Sequence, residues 1–238
     1  MRVSAFVTTI GSTTLPACLQ RLREQTVECP VYLVENVAPF SAALQRMVDS
    51  CTTELVVQVD EDMLLEPFAI ERLVGLIDKA PDNTVMSIAP LWDADLEMII
   101  YGVKIYRHAL VRQVPFESHV LGDRHDRELW EAAGFQWTRA PKVRGACIGE
   151  HGTDYTPEQI FERWRRLWQK KRAGKNIGWL EAWPDKLLER AITTRSRRDL
   201  FAFLGTVVGA SEELWPDGDT PDFRRPNAVL DRLLELFP

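Results

Sequence analysis

The chain has 238 residues, 45% of them hydrophobic, which is enough for one full core or a core with an appendage. Its 29 Lys and Arg against 35 Asp and Glu leave a formal net charge of -6, which argues against general binding to nucleic acid. No apolar run approaches the roughly 20 residues that span a bilayer, and Val3 to Ile10 is too short and too rich in Thr for a secretory signal. Cys18, Cys29, Cys51 and Cys147 are scattered without metal-ligand spacing, so reduced thiols in a cytosolic protein are the expectation.

In chain order, Arg2 to Ile10 predicts a first strand and Gly11-Ser-Thr-Thr the turn after it. A helix is expected from about Thr14, with Pro16 in its first turn and Leu15, Cys18, Leu19 and Leu22 on one face. Val31 to Asn36 reads as a second strand, and Ser41 to about Cys51 as a second helix. Leu55 to Val59 is a short apolar run, the pattern of a buried strand, and it leads into Asp60-Glu61-Asp62. Glu66 and Pro67 open a third helix that carries Ile70, Leu73 and Ile77. This β-α-β-α-β-α order predicts a mostly parallel sheet with helices on both faces.

Beyond it, Thr84 to Leu91 and Glu97 to Tyr106 read as strands, the second running antiparallel. Asp123 to Gly134 has helical spacing, and Lys142 to Ile148 is expected to be a last short strand. Gly149 to Tyr155 follows as a loop with glycines on both sides of His151. Thr156-Pro-Glu opens a long helix, and from about Tyr155 to Pro238 the pattern is helical and rich in Trp. The expected division is therefore 1–155 as core and 156–238 as a helical extension.

Three consecutive carboxylates cannot sit unpaired in a buried strand, so they belong at its end. Asp60 and Asp62 share a face of an extended chain, and at that spacing two charges repel by about 2–3 kcal/mol at an effective dielectric near 20. A divalent cation turns that repulsion into binding, and oxygen ligands suit Mg²⁺ or Mn²⁺. In open α/β sheets, ligands bind outside the carboxyl ends of the strands.

Val3 to Thr9, Val31 to Asn36 and above all Val59-Asp-Glu-Asp-Met-Leu-Leu-Glu-Pro67 resemble the GT-A glycosyltransferases, most closely glycosyltransferase family 2, over roughly residues 2–155. The resemblance implies a Rossmann-like core that takes a nucleoside-diphosphate sugar, uses Mn²⁺ or Mg²⁺, and moves one sugar to a carbohydrate, glycolipid or other hydroxyl acceptor. It assigns Asp62 and Asp60 to the metal, Asp60 and Glu61 with Thr8, Thr9 and Glu35 to the donor, and His151 to the metal as third ligand. It makes Asp123, eleven residues before Gly134, the base of an inverting displacement, with Asp126 one turn on as the fallback. Gly122 replaces the Glu that precedes this Asp in the family, and Val37-Ala-Pro-Phe replaces an acidic continuation of the second strand.

Blander roles stand beside these. Asp123 can serve as a helix N-cap and His151 as a packing residue. The basic, aromatic run Arg163 to Arg172 either meets a membrane surface or anionic acceptor, or is a solvated face with its Trp residues packed inward. Gln159 to Trp164 carries one residue too many for the Gln-x-x-Arg-Trp of processive synthases, which favours single additions. A sugar-phosphate nucleotidylyltransferase is disfavoured because Gly11 to Pro16 lacks repeated glycine and any basic residue. A non-catalytic nucleotide-sugar-binding protein is the third alternative.

Overall fold

The computed structural model describes residues 1–119, 123–174 and 177–214 with Arg232 and Glu235; of Asp123 it describes the backbone alone. The chain divides into two compact units, Met1–Ser118 with Gly122–Asp154, and His119–Leu121 with Tyr155–Pro238.

In the first unit, β1 (Val3–Thr9), α1 (Leu15–Arg23), β2 (Val31–Glu35), α2 (Phe40–Ser50) and β3 (Leu55–Asp60) form the expected alternation. The short β4 (Met63–Leu65) follows the acidic turn before α3 (Ala69–Asp78). Next come β5 (Thr84–Asp93), β6 (Met98–Arg107), the single turn α4 (His108–Val111), α5 (Asp123–Ala132), β7 (Gln136–Arg139) and β8 (Gly149–His151).

Among the described residues the sheet runs β2-β1-β3-β6-β5-β8-β4, with β7 also on β5. β1 pairs in parallel with β2 and β3, whereas β6 lies antiparallel to both β3 and β5. The β5–β6 hairpin explains this mixture, since a four-residue connection can return a strand only antiparallel.

Every residue of β1 and the first five of β3 are buried, as expected for central strands covered on both faces. One core layer joins Val57, Val59, Ile70, Leu73 and Val103 under α1 and α3; the other joins Phe6, Met47, Met86, Tyr106 and Trp130 under α2 and α5.

Two expectations fail near residue 145. Lys142 to Ile148 is not a strand: it carries a turn of 3-10 helix, Arg144–Ala146, in a segment that begins after Pro141 and includes Gly145. The strand is instead Gly149–His151, where a loop was expected. A Cβ on Gly149 would stand 2.4 Å from the carbonyl oxygen of Leu64, so only glycine permits β8 to pair with β4 there. β4 and β7 are also additions; with three and four residues they are too short for a period to show.

The second unit is helical in its described residues: α6 (Pro157–Arg172), α7 (Trp183–Thr194) and α8 (Arg197–Ser211). Thr156 and Gln159 form a full capping box at the start of α6. Trp164 is fully buried against Trp183, Arg165 pairs with Glu212 at 2.6 Å and Lys171 with Glu181 at 2.5 Å. Much of the basic aromatic run is thus engaged within its own unit, which supports the blander alternative for it. No helix among the described residues is long and apolar enough to cross a membrane.

Candidate active site

The register Thr8↔Asp60 places the ends of β1 and β3 side by side. Thr8 Oγ1 donates to Asp60 Oδ1 at 2.6 Å, and Gln58 Nε2 donates to the same oxygen at 2.7 Å. Buried Lys104 reaches Gln58 Oε1 at 3.3 Å, so a polar chain from β6 through β3 fixes the orientation of Asp60. Burial pushes the Asp60 carboxyl above the usual carboxylate range, and the neighbouring Asp62 charge pushes it further; the Thr8 bond, Lys104 and His151 pull the other way.

Glu61 faces the β1–α1 turn. It accepts from Thr9 Oγ1, from the Ser12 amide at 2.9 Å and from the Ile10 amide at 3.3 Å. Thr9 and Glu61 therefore meet each other, and together they hold the loop at Gly11 and Ser12. Glu35, in register with Thr9 at the end of β2, is exposed. Cys18 of α1 lies behind the acidic turn, its thiol pushed up to about 12 by burial and by the charges of Asp62, Asp60 and Glu61.

The sharpest geometry surrounds His151. Its Nε2 stands 3.4 Å from Asp62 Oδ2, and its Nδ1 stands 2.8 Å from Asp93 Oδ2. Asp93, fully buried at the end of β5, is held in turn by the Leu96 amide at 2.8 Å, while the Ala94 amide donates to the His151 carbonyl at 2.9 Å. An ionised carboxylate only accepts, so the proton lies on Nδ1 and Nε2 is turned toward Asp62. Two facing groups at this distance need either a proton or a cation between them.

Among the described residues, no three His, Cys, Asp or Glu side chains are already gathered as a metal cage. The Asp62–His151 pair nevertheless fits a divalent ion. Two ligands about 2.1 Å from a shared ion stand roughly 3.0–3.4 Å apart, and a buried carboxylate behind the imidazole is the usual support for a metal-ligating histidine. Asp93 was not among the residues expected at the metal, although a carboxylate closing an apolar strand is the same signal that marked Asp60.

Asp123 opens α5, and Gly134 follows the helix with φ +83. The Asp123 side chain lies outside the described residues; Asp126, one turn on, is buried. A groove of about 670 Å³ between α3 and the 140–148 segment, lined by Phe68, Arg72, Lys79 and Ile148 among others, contains none of the candidate residues.

No protein-family model matches the sequence, and no curated protein matches it. Among solved structures, the chain is similar to the mannosyltransferase PcManGT from Pyrobaculum calidifontis in complex with GDP-Man and Mn²⁺. The identity is 13%, with 88% of this chain and 87% of that one covered and a TM-score of 0.55. S. aureus TarS in complex with UDP gives 12% identity, 81% and 72% coverage and a TM-score of 0.49. The 2-C-methyl-D-erythritol 4-phosphate cytidylyltransferase from Thermus thermophilus gives 15%, 62% and 92%, and 0.42. The fold is GT-A. That conclusion rests on the sheet topology and the first of these likenesses.

Proposed function

We propose that the protein is a metal-dependent glycosyltransferase that moves a single sugar from a nucleoside-diphosphate donor to an acceptor hydroxyl with inversion. The observation that carries this is the pairing of Asp62 with a histidine set by a buried carboxylate, beside Asp60 at the end of β3. The GT-A fold and the GDP-Man and Mn²⁺ bound by PcManGT support it.

In this reading Asp60, Asp62 and His151 hold Mn²⁺ or Mg²⁺, which when bound neutralises charge on a leaving diphosphate. Thr8 and Gln58 fix one Asp60 oxygen and leave the other for the ligand. Asp93 holds the Nδ1 proton of His151 and so keeps Nε2 available. Glu61 and Thr9 shape the β1–α1 loop against which the nucleoside lies. Asp123 takes the proton as the acceptor oxygen bonds to the anomeric carbon and the bond from that carbon to the diphosphate breaks. A positioned base contributes about 10²–10⁴ in rate.

The test is release of nucleoside diphosphate from a panel of nucleotide-sugars with Mn²⁺. The expected result is slow hydrolysis of one donor, abolished by EDTA and accelerated by a true acceptor. Binding of nucleotide-sugar without release from any donor would leave a binding protein, and no binding at all would reject the proposal.

A further inference from the structure

The segment between Glu131 and Glu150 contains no acidic residue, yet it carries Arg139, Lys142 and Arg144 in a chain of net charge -6. Among the described residues none of these three cations joins an ion pair. Each lies over an aromatic ring instead. The Arg144 guanidinium stands 3.8 Å from the Trp92 ring centre, and Arg139 and Lys142 stand 5.8 and 6.0 Å from that of Tyr101.

The segment is pinned to β5, between the stretches of that strand that pair with β7 and β8. The Ala140 amide donates to Ile88 and the Ile148 amide to Pro90, both at 3.0 Å, and the Tyr101 hydroxyl donates to the Ala140 carbonyl at 2.9 Å. The cross-strand partners Pro90↔Tyr101 and Trp92↔Ile99 put the two rings on one face of the β5–β6 hairpin. Tyr101 packs there with the cluster that includes Trp130 of α5, the helix that Asp123 opens. Trp92 and Asp93 are neighbours on β5, so their side chains leave opposite faces of the strand, and Trp92 stands across from Glu150 of β8.

A guanidinium stacked on an indole uses its π face and keeps its N–H donors in the plane, where they match a carboxylate or phosphate. A half-buried ring beside a fixed cation also offers a sugar a flat apolar surface while the charge binds an anionic substituent. We propose that Trp92, Tyr101 and the three cations form the acceptor subsite, and that the acceptor is a sugar or polyol bearing a phosphate or carboxylate. The acceptor role rests on the glycosyltransferase reading; the anion site does not. An anionic lipid surface is the competing partner, but within the segment Val143 is the one strongly exposed large apolar side chain, too little for insertion.

The experiment titrates the whole protein with glucose, glucose 6-phosphate and glucuronic acid, and separately measures sedimentation with vesicles of phosphatidylglycerol and phosphatidylcholine. At least one anionic sugar should bind tenfold or more tighter than glucose, and which one does so distinguishes phosphate from carboxylate. The triple variant Arg139→Gln, Lys142→Gln, Arg144→Gln should lose that preference while keeping its thermal midpoint and its affinity for nucleoside diphosphate with Mn²⁺. No preference in the parent, a preference that survives in the triple variant, or vesicle binding in place of sugar binding would each overturn the subsite. Anionic-sugar preference without any nucleoside-diphosphate binding would leave the anion site standing and overturn the acceptor role.

Discussion

Asp93→Asn tests how the histidine is set. Asp93 uses both carboxylate oxygens, one on His151 Nδ1 and one on the Leu96 amide, each at 2.8 Å. Asparagine offers one acceptor and one donor, so it cannot accept from both of these partners. With its oxygen on Leu96, its NH₂ faces Nδ1 and drives the histidine proton to Nε2, which then cannot ligate a metal. With the amide reversed, the Leu96 N–H is left facing a donor in the core, at about 1–3 kcal/mol. In either orientation the buried carboxylate charge behind the imidazole is lost, a change worth about 10–100-fold in metal affinity. Mn²⁺ titration should therefore show weakening in that range for Asp93→Asn, with heteronuclear NMR of the His151 ring reporting any tautomer shift. In a His151→Ala background the same substitution should have no further effect, because its route to the metal is gone. Unchanged Mn²⁺ affinity in folded Asp93→Asn, or an equal loss with and without His151, would refute the reasoning.

Three other outcomes are expected. Asp123→Asn keeps the size of the side chain but cannot accept a proton near neutral pH, so it should leave nucleoside-diphosphate affinity intact and lower transfer by roughly 10²–10⁴, with Asp126→Asn affecting transfer much less. In the second unit, a Cβ on Gly209 would stand 2.3 Å from the Arg165 carbonyl oxygen, so urea unfolding of Gly209→Ala should show about 1–3 kcal/mol of overpacking at the α6–α8 contact. Arg2 grips both Glu54 and Asp78, and its hydrogen bond is the main cause holding the Asp78 carboxyl below its ordinary 3.8. A depressed carboxyl stabilises the fold above its ordinary value and ceases to do so as pH falls through the lowered one. The gap between parent and Arg2→Ala, no more than about 1 kcal/mol for so exposed a group, should be constant above about pH 5 and close below about pH 4.

The strand ends were legible because burial leaves few options. Leu55 to Val59 had to be a strand, and Asp60 had to lie at its end, since a carboxylate inside it would be unpaired. The helices from Leu15 and Pro157 announced themselves through proline in the first turn, with a full Thr156–Gln159 capping box in the second case. What escaped the sequence depends on long-range pairing. β8 is three residues that form a strand only because β4 and β5 lie on either side of them, and their Gly149 looked like a loop residue until Leu64 was seen against it. Asp93 was invisible as a histidine partner for the same reason, since 58 residues separate it from His151.

The central claim, that Asp60, Asp62 and His151 hold a divalent ion with a diphosphate, is tested most directly by calorimetry of GDP and UDP with the parent and Asp62→Asn, each with Mn²⁺ and with EDTA. The account predicts that at least one nucleotide binds the parent with Mn²⁺, that chelation weakens it tenfold or more, and that Asp62→Asn reproduces the loss in the presence of metal. Nucleotide affinity indifferent to both chelation and Asp62→Asn would contradict it.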